Sequence, residues 1–231
     1  MNETIAAVDI GFVSTGIAYA QREGEHIGVA GVVISTESVF SAAQKKRVRV
    51  ADQLVDRVIA LLDGLDTELG ILHAAELSLQ SSDLRGVLIE MPTGGSKSGA
   101  AARGMGISIA IAAHLKRSLR CPVEIYIPTD VRKKVIHRQH MPRKMTTTKG
   151  GKLRMESQTK EAVRASVLKR FHFDEASMAT IPKRKREHVY DASAVLVAAR
   201  DESLIRSLGW PRSIFEEGAY DATRSATASD G

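Results

Sequence analysis

The sequence predicts an α/β fold: a mixed five-stranded sheet flanked by helices on both faces. Three observations lead there. Three strand-like segments open the chain at 4–10, 14–21 and 27–35, separated by short turns that contain Gly11 and Gly24, which reads as an antiparallel meander. A long segment of helical periodicity follows at 42–63. Strand and helix patterns then alternate to the end of the chain, which calls for crossover connections and therefore parallel neighbours.

Each element has its own signal. In 42–63, Val48, Ala51, Leu54, Val55, Val58, Ile59 and Leu62 recur at spacings of three and four and give one apolar face. Residues 66–85 read as a short helix and loop. The apolar run 86–91 is the fourth strand; Pro92 to Ser96 form a loop, and a helix rich in small residues spans 98–119. Residues 123–127 make the fifth strand, closed by Pro128, and Thr129 is placed to cap a short helix from Asp130 to Ile136. The stretch 137–156 holds Pro, Gly, three consecutive Thr and many cations, and reads as a mobile loop inserted in the domain. Helices at 157–171 and 186–207 complete it, with Gly209-Trp210-Pro211 as the stop. The expected organisation is one domain over 1–210 with a basic insertion at 137–156, then a tail at 211–231 whose last part, from about 217, is small, polar and disordered.

Composition narrows the class. At 231 residues, 43% hydrophobic, the chain can bury a full core. No apolar run reaches a membrane span, and the N-terminus runs directly into a strand without the pattern of a signal peptide. Cys121 is the only cysteine, which excludes disulfide scaffolding and fits a reducing cytoplasm, bacterial or phage-infected, with an organelle as the other setting. The net charge is +6, unevenly spread: between Val131 and Arg170 thirteen Lys/Arg face two Glu, a local excess of +11 against −5 for the rest. Such a block on an otherwise acidic body is the footprint of a polyanion-binding surface.

Three acids carry the chemistry. Asp9 ends the apolar run Ile5-Ala6-Ala7-Val8 and Glu90 ends Val87-Leu88-Ile89; Asp191 lies in a helical stretch with His188 three residues before it. A carboxylate at the end of a buried strand costs free energy unless something positive pairs with it. If the two strands are adjacent and parallel, Asp9 and Glu90 lie side by side, and a helix can lower His188 and Asp191 onto them from one face. That set suits a pair of divalent cations roughly 4 Å apart, which activate water and neutralise the leaving oxygen in phosphodiester hydrolysis. Asp9 would bridge the two ions, Glu90 and Asp191 would hold one each, and His188 would bind metal as neutral imidazole or orient the water. Oxygen ligands favour Mg²⁺, and the imidazole lets Mn²⁺ substitute.

These residues resemble the RuvC family of Holliday-junction resolvases within the RNase H-like fold. Val8-Asp9-Ile10-Gly11-Phe12-Val13-Ser14-Thr15-Gly16-Ile17-Ala18 resembles its first strand-turn-strand, and Leu88-Ile89-Glu90 its second acidic strand. Ser98-Gly99 with Arg103-Gly104 resembles the helix that follows, and His188-Val189-Tyr190-Asp191-Ala192-Ser193-Ala194 the closing helix. The resemblance spans about 4–200. It implies a homodimer that nicks opposing strands of a four-way DNA junction, two Mg²⁺ per site, and lysines near the scissile phosphate, for which Lys133, Lys134 and Lys160 are the matches. Lys144, Lys149, Lys152 and Arg154 of the insertion are further expected DNA-binding residues. Met91-Pro92 stands where the bacterial enzymes carry an aromatic two positions after the Glu. With the insertion and the longer tail, that departure resembles the divergent, phage-type or organellar-type members of the family.

Other readings are an RNase H-type hybrid nuclease using the same ions, a non-catalytic junction-binding module, and a sugar-kinase or actin-like ATPase, whose phosphate loop is also Asp-x-Gly after a strand. The ATPase needs a second such loop and a Gly-rich adenosine loop, and the sequence has neither. Three intact acids argue against lost catalysis.

Overall fold

Ile, Val and Ala fill β1 (Thr4–Asp9), β2 (Ser14–Glu23) and β3 (His26–Ser35), which pair in sequence as the antiparallel meander. The computed structural model describes residues 3–11, 13–37, 50–70, 84–91, 99–136, 143–147, 153–157 and 159–218. After the meander come α1 (Val50–Glu68), β4 (Leu84–Glu90), α2 (Gly99–Ser118), β5 (Val123–Tyr126) and α3 (Pro128–Val135). Then follow β6 (Arg143–Thr147), β7 (Leu153–Ser157), α4 (Thr159–Leu168), β8 (Phe171–Phe173), α5 (Glu175–Thr180), α6 (Arg186–Ala199) and α7 (Ser203–Ser207). The main sheet runs β5-β4-β1-β2-β3-β8, with β1–β4, β4–β5 and β3–β8 parallel.

The sheet is mixed and flanked on both faces, as expected, but it has six strands. The sixth, β8, is three residues long, too short for alternation to register in sequence, and pairing with β3 makes it a strand. One face carries Ile5, Ala7, Ala18, Ala20, Ile27, Val29 and Leu88 against α6 and its neighbours. The other carries Ala6, Val8, Ile17, Tyr19, Val87 and Ile89 against Leu61, Leu65 and Leu69 at the end of α1 and Ile111 and Leu115 of α2. Each fully buried Val, Leu or Ile side chain stabilises the fold by about 1.5–3 kcal/mol relative to exposure.

Several local expectations are corrected. Ile127, not Thr129, is the N-cap of α3; it makes no side-chain cap bond, and Pro128 starts the helix instead, its φ already set for the first turn. Part of the 137–156 loop is ordered: β6 and β7 form an antiparallel ribbon with Met145 opposite Met155, and the rest lies outside the described residues. The single helix expected over 186–207 is two, because the chain turns at Arg200–Glu202, where Lys134 Nζ donates to the Ala198 carbonyl and to Glu202 Oε1, both at 2.9 Å. The expected start of the first helix, 42–49, and the tail from 219 lie outside the described residues.

Packing continues past 210. Trp210, Ile214 and Phe215 are buried, and Arg170 fastens this segment from inside. Its Nε donates to the Phe215 carbonyl at 2.9 Å, and a terminal nitrogen donates to Glu217 Oε1 at 3.0 Å. The packed body therefore runs through Phe215. Arg170 is 2% exposed, so this last cation of the basic block serves the interior.

Candidate active site

The register of β1 and β4 puts Asp9 opposite Glu90 at the same end of two parallel central strands. Alternation points both toward α6, since Ala7 and Leu88, two residues back, pack on that side. The chain leaves β1 through a tight turn. Thr15 Oγ1 donates to the Gly11 carbonyl at 3.0 Å and accepts from the Gly11 N–H at 3.3 Å. A Cβ at Gly11 would sit 2.4 Å from the Ser14 carbonyl oxygen, so the turn closes only with glycine there.

Helix α6 supplies the other half. It lies so close to the sheet that a Cβ on Gly16 would fall 2.2 Å from the His188 carbonyl oxygen, and one on Gly31 would fall 2.8 Å from Val189 Cγ1. Two glycines thus let the first turn of α6 descend onto β2 and β3. His188 Nδ1 reaches Asp9 Oδ2 at 3.2 Å, and Asp191, one turn on, faces the same cleft. The cleft holds about 320 Å³ and is walled by the strand ends, by Pro128, Val131 and Arg132 of α3, by Thr159, Lys160 and Val163 of α4, and by α6.

Electrostatics mark the cleft as short of positive charge. Burial, with Asp9 and Asp191 adding to it and Arg132 opposing, pushes the Glu90 carboxyl up to about 8. Burial and Asp9 push Asp191 up to about 6, against Lys160 and His188. The hydrogen bond to Asp9 raises His188 above the usual imidazole range. Cations in the cleft would relieve the crowding that raises Glu90 and Asp191.

The structure brings Asp9, Glu90, His188 and Asp191 together, with Lys160 beside them. Lys160 also pairs with Glu187, which raises its pKa. It does not bring Lys133 or Lys134 to the cleft lining: Lys133 pairs with Asp130 at 3.4 Å on the surface, and Lys134 caps α6. Arg132, not singled out from sequence, lines it instead; the run Arg132-Lys133-Lys134 held the signal, and packing selected the member. Lys144 and Arg154 sit on the ribbon, while Lys149 and Lys152 lie outside the described residues. A second feature escapes a reading of the sequence. Lys183, Arg184 and Arg186 join Lys160 and Arg164 around a cleft of about 510 Å³, and Arg164 lies 5.3 Å from the Tyr190 ring centroid. The charge run at 183–186 is visible in sequence, but only α4 packed beside it makes a surface of it.

The structure of Thermus thermophilus RuvC superposes with a TM-score of 0.50 over 89% of this chain and 96% of that one. The chain has the RuvC fold. RuvC shares it at 15% sequence identity, so the likeness is one of RNase H-like α/β architecture. A second T. thermophilus RuvC structure, in complex with a Holliday junction substrate, has TM-score 0.49 at 16% identity, covering 90% of this chain and 96% of that one. The yeast mitochondrial Holliday junction resolvase Ydc2 has 0.47 at 10% identity, covering 85% and 77%. No family model and no curated protein matches the sequence. Among the described residues no helix is long and apolar enough to cross a membrane.

Proposed function

We propose that the chain is a metal-dependent endonuclease that nicks four-way or other branched DNA, a crossover junction endodeoxyribonuclease. The observation that carries this reading is the pairing of Asp9 with Glu90 at adjacent parallel strand ends, under His188 and Asp191 of α6, in a cleft rimmed by Arg132 and Lys160. Fold alone would not assign an activity; the site chemistry is what supports this one.

The donor set fits divalent cations. Three carboxyls, two of them held partly protonated by burial and mutual repulsion, are the groups that a dication would deprotonate and bind. Asp9, Glu90, Asp191 and His188 would hold two Mg²⁺, or Mn²⁺ in their place, which supply Lewis acidity and an activated water for in-line displacement. The chain's own groups do the rest. Asp9 accepts from His188 and so fixes the imidazole over the strand end. Arg132 and Lys160 offer positive charge to the phosphate entering the cleft. The cationic surface of Arg164, Lys183, Arg184 and Arg186 continues from Lys160 and offers a track for the sugar-phosphate backbone. Val131 and Val163 wall the cleft with apolar surface, which strengthens the electrostatics inside it.

One site cuts one strand, so resolving a junction calls for two chains, and we place the protein as a homodimer, with DNA-binding by the ribbon residues Lys144 and Arg154 and by Lys149 and Lys152. The working domain in this reading is the body through Phe215 with its basic insertion. The test is cleavage of a synthetic four-way junction beside a linear duplex and an RNA–DNA hybrid, with and without Mg²⁺. Selective nicking of the junction is expected, abolished in Asp9→Asn while junction binding persists. Preference for the hybrid would move the assignment to an RNase H activity, and metal-independent or unimpaired cleavage by Asp9→Asn would remove the site.

A further inference from the structure

On the face of the sheet turned away from α6, at the far end of β2 from the acidic cleft, stands a second group of metal-ligating side chains. Glu23 ends β2 and His26 opens β3, and the two are cross-strand partners. Gly28, two residues along β3, is the partner of His172 on β8. Register therefore puts Glu23, His26 and His172 on one face. Glu23 Oε2 lies 3.1 Å from His26 Nε2 and 3.8 Å from His172 Nδ1. One ligand atom from each of the three residues falls within 4.8 Å of the others. A tetrahedral ion with ligands near 2.1 Å sets adjacent ligand atoms ~3.4 Å apart, between the two observed distances.

The backbone accommodates this arrangement. A Cβ on Gly28 would lie 2.1 Å from Glu23 Oε1 and 2.9 Å from Oε2, so only the missing side chain at 28 lets the carboxylate lie over β3 within reach of both imidazoles. A cleft of about 290 Å³, lined by Glu23, Gly28, His172 and Asp174 among others, opens beside it. The His26 side chain is 17% exposed and that of His172 42%, so the group is anchored on one side and open to solvent on the other.

We propose that Glu23, His26 and His172 bind one divalent ion of the zinc class, with water in the fourth position. Two imidazoles and one carboxylate form a borderline-soft donor set, distinct from the carboxylate-rich cleft that suits Mg²⁺. The ion ties β8, an edge strand of three residues, to the β2–β3 hairpin. Since β8 follows α4 directly, the site braces the element that carries Lys160 and Val163 into the acidic cleft.

The experiment uses the full chain, stripped with chelator and carrying Asp9→Asn, Glu90→Gln and Asp191→Asn to silence the acidic cleft. Co²⁺ is titrated as a spectroscopic probe and then displaced with Zn²⁺. One equivalent of Co²⁺ with the intense visible bands of four-coordination is expected, displaced by one equivalent of Zn²⁺. Zn²⁺ at a hundredfold excess over its dissociation constant should raise Tm by roughly 5–10 °C. Adding His172→Ala or Glu23→Gln should remove the bands and weaken Zn²⁺ binding at least about tenfold, with the metal-free Tm unchanged. The same comparison on the chain with an intact cleft should show one fewer Zn²⁺ bound in His172→Ala. Absent cobalt bands, or equal zinc stoichiometry with and without His172, overturns the site.

Discussion

Glu90 shows how a half-buried carboxyl carries information. Its pKa is pushed up to about 8 and that of Asp191 to about 6, above the values each has when unfolded. Each therefore binds its proton more tightly in the folded chain, and stability falls as pH rises between the unfolded and folded values. His188 is raised as well, so its contribution is present at low pH and is lost as pH rises through its folded value. All three slopes have one sign. The metal-free protein should lose stability on the order of a few kcal/mol from pH 5 to pH 8, read as a falling Tm. Glu90→Gln, permanently neutral, should flatten most of that slope, and Mg²⁺ at pH 8 should restore the loss. A flat profile in the metal-free wild type would show that the carboxyls are not crowded. His188→Asp is expected to keep cleavage, to favour Mg²⁺ over Mn²⁺ more strongly, and to lose part of the decline at acidic pH. His188→Ala should lose far more rate than affinity. Normal cleavage by the alanine variant from pH 6 to 9 would reduce His188 to a helix residue.

At the scale of elements, the site exists because α6 touches the sheet. Gly16→Ala would drive a methyl group into the His188 carbonyl, so α6 must lift. The expected cost is about 1–3 kcal/mol in stability by denaturant unfolding, with a far larger fractional loss of cleavage, because His188 and Asp191 move together. Equal, small effects on both would mean the helix has slack. The packing of α4 beside the 183–186 run makes a second testable unit. Neutralising Arg164, Lys183, Arg184 and Arg186 together should weaken DNA binding regardless of sequence. It should also reduce the salt slope by roughly 0.9 log unit for each phosphate no longer neutralised. Binding whose salt slope is unchanged would place the backbone track elsewhere.

For the molecule as a whole, two apolar clusters sandwich one sheet, and the chain's last described segment seals the α6 side. Phe215 packs edge-on against Phe171 at 6.4 Å between ring centroids and lies 6.2 Å from Trp210, over the buried Arg170. Phe215→Ala should therefore cost about 3–5 kcal/mol, measured by urea unfolding, as a core residue does. A cost below about 1 kcal/mol, the range of surface substitutions, would return 211–215 to the status of a tail.

Legible from the residues alone were the α/β class, the meander, the placement of Asp9 and Glu90 at strand ends, and that of His188 and Asp191 on one helix face. Those follow from local rules: alternation of apolar residues ends visibly at a charge, and i, i+3 spacing shares a helix face. Short pieces were not legible. Phe171-His172-Phe173 has no period to read, and the break at Arg200–Glu202 carries neither Gly nor Pro, because Lys134, far away in the chain, supports it. Nor could composition separate cations by role. Arg132 lines the cleft, Lys134 caps a helix and Arg170 is buried, although all three belong to one basic block. The tertiary structure alone decided these matters, and with them the face on which Glu23, His26 and His172 meet. A side chain's partners are set by strand register and helix approach, which depend on residues distant in sequence, whereas its place on an element depends only on its neighbours.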